Sequence, residues 1–265
     1  MDYKKLCFQV QDIARETGSF ILEEGKKITV SDIEFKGITS LVTYVDKTAE
    51  TRIVAALKKL ITDSGFVAEE GTADSNNERF TWIIDPLDGT TNFIHGIAPH
   101  SVSIALKEDE NIVLGVVYEV KSGEMFYAWK DSPAYLSGQE IKVSSNSKPE
   151  NALIATGFPY YDFDRVDDYI AAMKELMKTT RGLRRLGSAA IDLAYVAAGR
   201  FDAFFEHALH AWDVAAGVFI IQQAGGKVCD FNGGDNWLFG GEIVVASENY
   251  FDEFYRVINS NLGHK

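Results

Sequence analysis

The sequence predicts an α+β fold with helices at its start, a large antiparallel sheet in its middle and strands alternating with helices in its second half. Three observations carry this expectation. Residues 100–143 break into short strand-like runs, SVSIAL, IVLGVVY, EMFYAW and AYL, separated by the turn signals KEDEN, KSG and KDSP, as in an antiparallel meander. Beyond residue 150 the periodicity switches repeatedly between strand and helix, as where strands are covered by helices. Ahead of both, apolar residues recur at helical spacing in two amphipathic segments.

In chain order, Leu6, Val10, Ile13, Thr17 and Ile21 share one face of a first helix, which Gly25 ends. Residues 25–40 are polar and glycine-punctuated and read as a loop carrying Lys36. Residues 40–45 read as a strand. Asp46 follows as the N-cap of a second helix that presents Ile53, Ala56, Leu57, Leu60 and Ile61. Residues 66–70 form a short strand ending in the paired acids Glu69 and Glu70. Phe80, Trp82, Ile83 and Ile84 form a buried strand closed by Asp85, after which Pro86 fixes φ and removes a donor, so a turn is expected.

After the meander the polar stretch SSNSKPEN marks a boundary between halves. There follow strand 152–157, helix 165–178, strand 182–186, helix 188–198, strand 201–206, helix 212–224, strand 226–230, an irregular Gly- and Asn-rich loop over 230–241, strand 243–246 and a helix from Ser247. The reading is one domain over 1–265, with sub-halves 1–147 and 148–265 and no internal repeat.

Composition narrows the function classes. With 46% hydrophobic and 25% charged residues the chain is an ordinary soluble globular protein. A net charge of −13 argues against nucleic acid as a partner. The amphipathic N-terminus is no signal peptide, and the apolar run from Val214 to Ile221 is too short to cross a bilayer, so no membrane attachment is expected. Cys7 and Cys229 match no metal or redox spacing and read as free thiols, as in a reducing cytoplasm.

The chemistry concentrates in residues 80–95, FTWIIDPLDGTTNFIH. Asp85 and Asp88, converging across a tight turn, need a cation between them, and carboxylate oxygens suit a hard ion such as Mg²⁺. Gly89, Thr90 and Thr91 offer open backbone N–H groups and hydroxyls to an anion. An EF-hand would require a different order of ligands, and a haloacid-dehalogenase-type loop would require Asp-x-Asp. What remains is a metal-assisted phosphatase loop. His95 and His100 have no partner at ligand spacing and read as loop and strand polar residues. Asp213 opens an apolar, buried helix, where it is either a dipole-stabilised first-turn acid or a further carboxylate on the shared cation.

Asp85-Pro86-Leu87-Asp88-Gly89-Thr90 resembles the first signature of the inositol monophosphatase family, and Trp212-Asp213-Val214-Ala215-Ala216-Gly217 resembles the second. Ala68-Glu69-Glu70, Leu41-Val42-Thr43 ending in Asp46, and Gly187-Ser188-Ala189-Ala190 fall in matching order, so the resemblance spans most of the chain. It departs at Ala68, where the family usually has Gly; if that position needed φ > 0, Ala would be strained. The resemblance implies a layered α-β-α-β-α sandwich of the inositol monophosphatase and fructose-1,6-bisphosphatase type. It implies two or three Mg²⁺ per site, one on Glu69, Asp85 and the Leu87 carbonyl, a second on Asp85, Asp88 and Asp213, with Glu69 able to contact a third. Such ions would offset the acidic charge that otherwise repels a phosphate ester.

It further implies that Glu69 and the Asp46/Thr90 pair position the attacking water, alongside the capping role of Asp46, and that Gly89 and Thr90 hold the phosphate. Asp88, Gly187, Ser188, Ala189, Glu206 and Asp213 line the substrate, with Glu206 beside the hydroxyls of the alcohol. Lys36 would lie in a loop over the site. The implied activity is hydrolysis of myo-inositol monophosphate by direct attack of a metal-activated water, with inhibition by Li⁺ and a homodimer as the usual assembly. Fructose 1,6-bisphosphate and 3′-phosphoadenosine nucleotides are the alternatives on the same scaffold, and a protein-binding role with a retained site is the alternative of a different class.

Overall fold

A computed structural model describes residues 1–28, 33–35, 41–72, 78–158 and 163–263; Lys36 lies outside them. The first helix, α1 (Tyr3–Glu24), starts where the Asp2 carboxylate accepts the Lys5 N–H and ends at Gly25. Strands β1 (Ile33–Phe35) and β2 (Leu41–Thr43) pair antiparallel. The strand expected through Val45 stops at Thr43, because Thr43 caps α2 (Tyr44–Leu60). Its Oγ1 accepts the Val45 N–H, while the Asp46 carboxylate accepts the Thr43 N–H at 2.8 Å. Asp46 is therefore the third helical residue of a capping box and not the N-cap.

A seven-stranded sheet follows in the order β3 (Ser64–Ala68), β4 (Phe80–Asp88), β5 (Ser101–Glu108), β6 (Asn111–Glu119), β7 (Met125–Trp129), β8 (Ala134–Leu136) and β9 (Gln139–Ile141). Only β3 and β4 pair parallel; the rest is the expected meander. Ala68 sits inside β3 opposite Ile84 and is absent from the positive-φ residues, so the expected strain does not arise. Short helix α3 (Thr90–Ile94) links β4 to β5.

The second sheet has the order β11 (Gly182–Arg184), β10 (Leu153–Thr156), β12 (Ala203–His207), β14 (Glu242–Ser247) and β13 (Gly226–Cys229). Its first three strands are parallel, and β14 runs antiparallel to both β12 and β13. Helices α4 (Val166–Thr179), α5 (Ala189–Ala197), α6 (Ala211–Gln223) and α7 (Phe251–Leu262) complete the chain. The last begins later than expected because residues 247–250 close a turn, Tyr250 N–H to Ser247 carbonyl.

The layering follows from the two-residue period of strands. Trp82, Ile84, Ile104 and Val116 face α1 and α2, packing with Val10, Ile53 and Leu57. Their neighbours Ile83, Ala105 and Val117 face the other way, onto α5 and α6. On the second sheet Phe204 and Val245 meet α5 and α6, while Phe205 and Val244 meet α4 and α7 through Tyr169 and Phe254. The result is the α-β-α-β-α sandwich, with α5 and α6 as the layer shared by both sheets. Helix α6 is buried along Val214–Ile221 and approaches β6 so closely that a Cβ on Gly115 would lie 2.7 Å from the Ala216 carbonyl oxygen.

Candidate active site

The expected turn after Asp85 is a β-bulge inside β4. Asp85 pairs with Ser103 and Asp88 with Ser101, so three steps on β4 oppose two on β5. In a regular strand residues three apart point to opposite faces, and the extra residue turns Asp88 onto the face of Asp85. Helix α6 brings the third carboxylate: Asp213 sits in its first turn and accepts the His210 N–H at 2.6 Å. One carboxylate oxygen each from Asp85, Asp88 and Asp213 lie within 4.8 Å of one another.

Local bonds fix each member. Asp85 accepts the Leu87 N–H at 2.9 Å. Asp88 accepts the Ala190 N–H at 2.9 Å and the Ser188 hydroxyl, with the Ser101 hydroxyl 3.5 Å away. Ser188 is thereby occupied as the α5 cap and as a donor to Asp88. Ser103 reaches the Trp212 carbonyl at 3.3 Å and ties β5 to the start of α6.

Burial raises the Asp85 carboxyl well above the usual carboxylate range, and the charges of Glu69, Asp88 and Asp213 raise it further. Burial also raises Asp88, against donors from Ser188, Ala190 and Ala189. Desolvation followed by the Asp88 charge raises Asp213. The charges that shift Asp85 most are those three carboxylates. Three crowded carboxylates offering hard oxygen donors fit a divalent cation of the Mg²⁺ class. Among the described residues this group contains no histidine: His95 is exposed at the end of α3, and His100 is buried against Phe93.

Glu69 follows β3, its N–H bonded to the Ile84 carbonyl, and its charge reaches both Asp85 and Asp213. Asp46 and Thr90 meet: the Thr90 hydroxyl lies 3.0 Å from both the Asp46 carboxylate and the Leu87 carbonyl. Gly89 adopts φ +88 as the cap of α3, and Gly187 (φ +89) lies against it, its carbonyl 3.1 Å from where a Gly89 Cβ would be. Ala189 opens α5 beside Asp88. Glu206, near the end of β12, is buried; desolvation pushes its carboxyl up to about 8, against the pull of Arg185.

Several residues went unread in the sequence. Asn92 clamps the motif by donating to the Pro99 and Leu186 carbonyls at 2.7 and 2.8 Å. Glu50, fully buried one turn after Asp46, accepts the N–H groups of Glu70 and Thr72 and so holds the chain around Glu69. Asp192 on α5 is buried with an Oδ1 that meets no hydrogen-bond donor among the described residues. The Asp46–Glu50 spacing of four on a helix that otherwise buries apolar residues was the available signal for Glu50.

The model of the inositol monophosphatase family matches residues 2–261. The chain belongs to the inositol monophosphatase family. Among family relatives it is 40% identical over 254 residues to Nus factor SuhB of Pseudomonas aeruginosa, with 94% of each chain covered. It is 37% identical to an inositol-1-monophosphatase of Mesorhizobium japonicum, with 89% of each covered. The crystal structure of extragenic suppressor protein suhB from Bartonella henselae superposes with a TM-score of 0.91 at 34% identity, covering 97% of this chain and 100% of that one. An IMPase of Thermotoga maritima superposes with a TM-score of 0.88 at 34% identity, covering 98% of both. Family membership and the acidic triad together make a phosphatase scaffold with a metal-binding centre. No helix among the described residues is long and apolar enough to cross a membrane.

Proposed function

We propose that this chain is a Mg²⁺-dependent phosphomonoesterase acting on myo-inositol monophosphate, with residues 1–265 working as one phosphatase domain. The supporting observation is the convergence of Asp85, Asp88 and Asp213 beside the Asp46–Thr90 hydrogen bond. Glu69, Asp85, the Leu87 carbonyl, Asp88 and Asp213 would hold the ions. Bound Mg²⁺ supplies charge neutralisation for the phosphoryl oxygens and lowers the pKa of a water.

The protein's own groups do the rest. The Thr90 hydroxyl, held by Asp46, and the Glu69 carboxylate orient the attacking water. The backbone N–H groups of Gly89 and Thr90 bind phosphate oxygens at the mouth of the bulge. Glu206 accepts hydrogen bonds from the hydroxyls of the departing alcohol, with Gly187, Ser188 and Ala189 forming the wall beside it. Release of phosphate from inositol phosphates, sugar bisphosphates and 3′-phosphonucleotides, measured with and without Mg²⁺, tests the reading. Metal-dependent release led by an inositol monophosphate is expected; metal-independent release, or none, overturns it. Li⁺ should inhibit, and sedimentation should show a homodimer.

The name Nus factor, carried by the Pseudomonas aeruginosa relative, favours a second role as a protein-binding factor. The two buried free thiols suit work in a reducing cytoplasm.

A further inference from the structure

Gly157 directly follows β10, and the parallel pairing of Thr156 with Phe205 sets it beside Glu206 on β12. A Cβ on Gly157 would lie 1.8 Å from Glu206 Oε1, 2.0 Å from Cδ and 2.2 Å from Oε2. All three nearest atoms belong to that one carboxyl group. The backbone does not itself call for glycine, since Gly157 is not among the positive-φ glycines. Alanine fits the conformation and cannot share the space. The clash falls on the far end of a side chain, so a methyl group would move the carboxylate and leave the strands in place. Around Glu206 the charges of Asp88 and Asp192 are negative and Arg185 is the cation.

We propose that Gly157 is a positioning residue for substrate selection: its missing side chain is the space in which the Glu206 carboxylate lies at the alcohol end of the pocket. The inference rests on the phosphomonoesterase reading above. A displaced carboxylate forfeits its hydrogen bonds to ring hydroxyls, and a substrate without hydroxyls does not register the loss. Gly157 therefore acts through Glu206 and does not touch the reacting atoms.

The test compares wild type, Gly157→Ala, Glu206→Ala and the double variant with Mg²⁺, on myo-inositol 1-phosphate and on p-nitrophenyl phosphate. Gly157→Ala should lower the ratio of kcat/KM for the inositol ester over the nitrophenyl ester by about tenfold or more, chiefly through KM. With Glu206 already truncated, the same substitution should change that ratio less than about twofold. Gly157→Ala with Glu206→Asp, whose shorter side chain makes room for the methyl, should recover part of the ratio and any lost thermal stability. A ratio unchanged in Gly157→Ala, a fall that persists without Glu206, or a crystal structure of Gly157→Ala with Glu206 unmoved would overturn the inference while the phosphomonoesterase reading stands. Wild-type protein releasing phosphate from neither ester would overturn both.

Discussion

Asp88 is the residue on which position and chemistry depend together. Its Oδ2 accepts from Ser188 and Ala190, so Asp88→Asn keeps an oxygen for those donors while removing a charge from the crowded triad. Turnover should fall at least ~100-fold, and the melting temperature of the metal-free protein should stay level or rise. Glu206 gives a pH-dependent counterpart. Burial holds its carboxyl near 8 in the fold against an ordinary 4.5, so the folded state binds the proton more tightly. That contribution to stability is fully present below 4.5 and is lost as pH rises towards 8. In metal-free protein, Glu206→Gln should therefore match wild type near pH 5 and be more stable at pH 8, by an amount on the order of a few kcal/mol that calorimetry across pH would measure. At this scale Asp85 and Asp88 were legible from residue type and spacing, whereas Asp213 was left open by its own surroundings and joined them only through the family resemblance. Ser101 and Asn92 were not legible, because their roles arise from pairing register and from contacts between segments far apart in the chain.

Among the elements, α2 supports the site from behind. Asp46 in its first turn bonds Thr43 and Thr90, and Glu50 one turn later accepts the Glu70 and Thr72 N–H groups. Glu50→Ala leaves those donors without their acceptor and should cost about 1–3 kcal/mol. It should also weaken Mg²⁺ activation severalfold, because the chain around Glu69 loosens; titrating activity against Mg²⁺ checks this. The strands and helices of the second half were readable from alternation alone, with ends displaced by a residue or two except at α7, which begins four residues later than expected. Two boundaries of the first half were not. The capping box at Thr43 draws Asp46 into α2, and the bulge lets β4 run through Pro86, since both depend on which backbone groups find partners.

Across the whole molecule, the shared layer of α5 and α6 joins the sheets, and α6 carries Asp213 at its mouth. The close approach of Gly115 to Ala216 sets the distance between α6 and the first sheet. Gly115→Val should lift the helix, cost about 1–3 kcal/mol by overpacking and weaken Mg²⁺ binding, since Asp213 would withdraw from Asp85 and Asp88. Denaturant melts with and without the ion would show both effects. The five-layer order was expected only through family resemblance, because periodicity shows which face of a strand is buried and does not show what covers it. The enclosure of α6 carries one more consequence. The amides of its buried stretch Val214–Ile221 have no route to solvent short of dismantling both sheets, so hydrogen exchange there should track global unfolding. Heat should then abolish activity and structure in a single cooperative event, with no folded but silent species along the way.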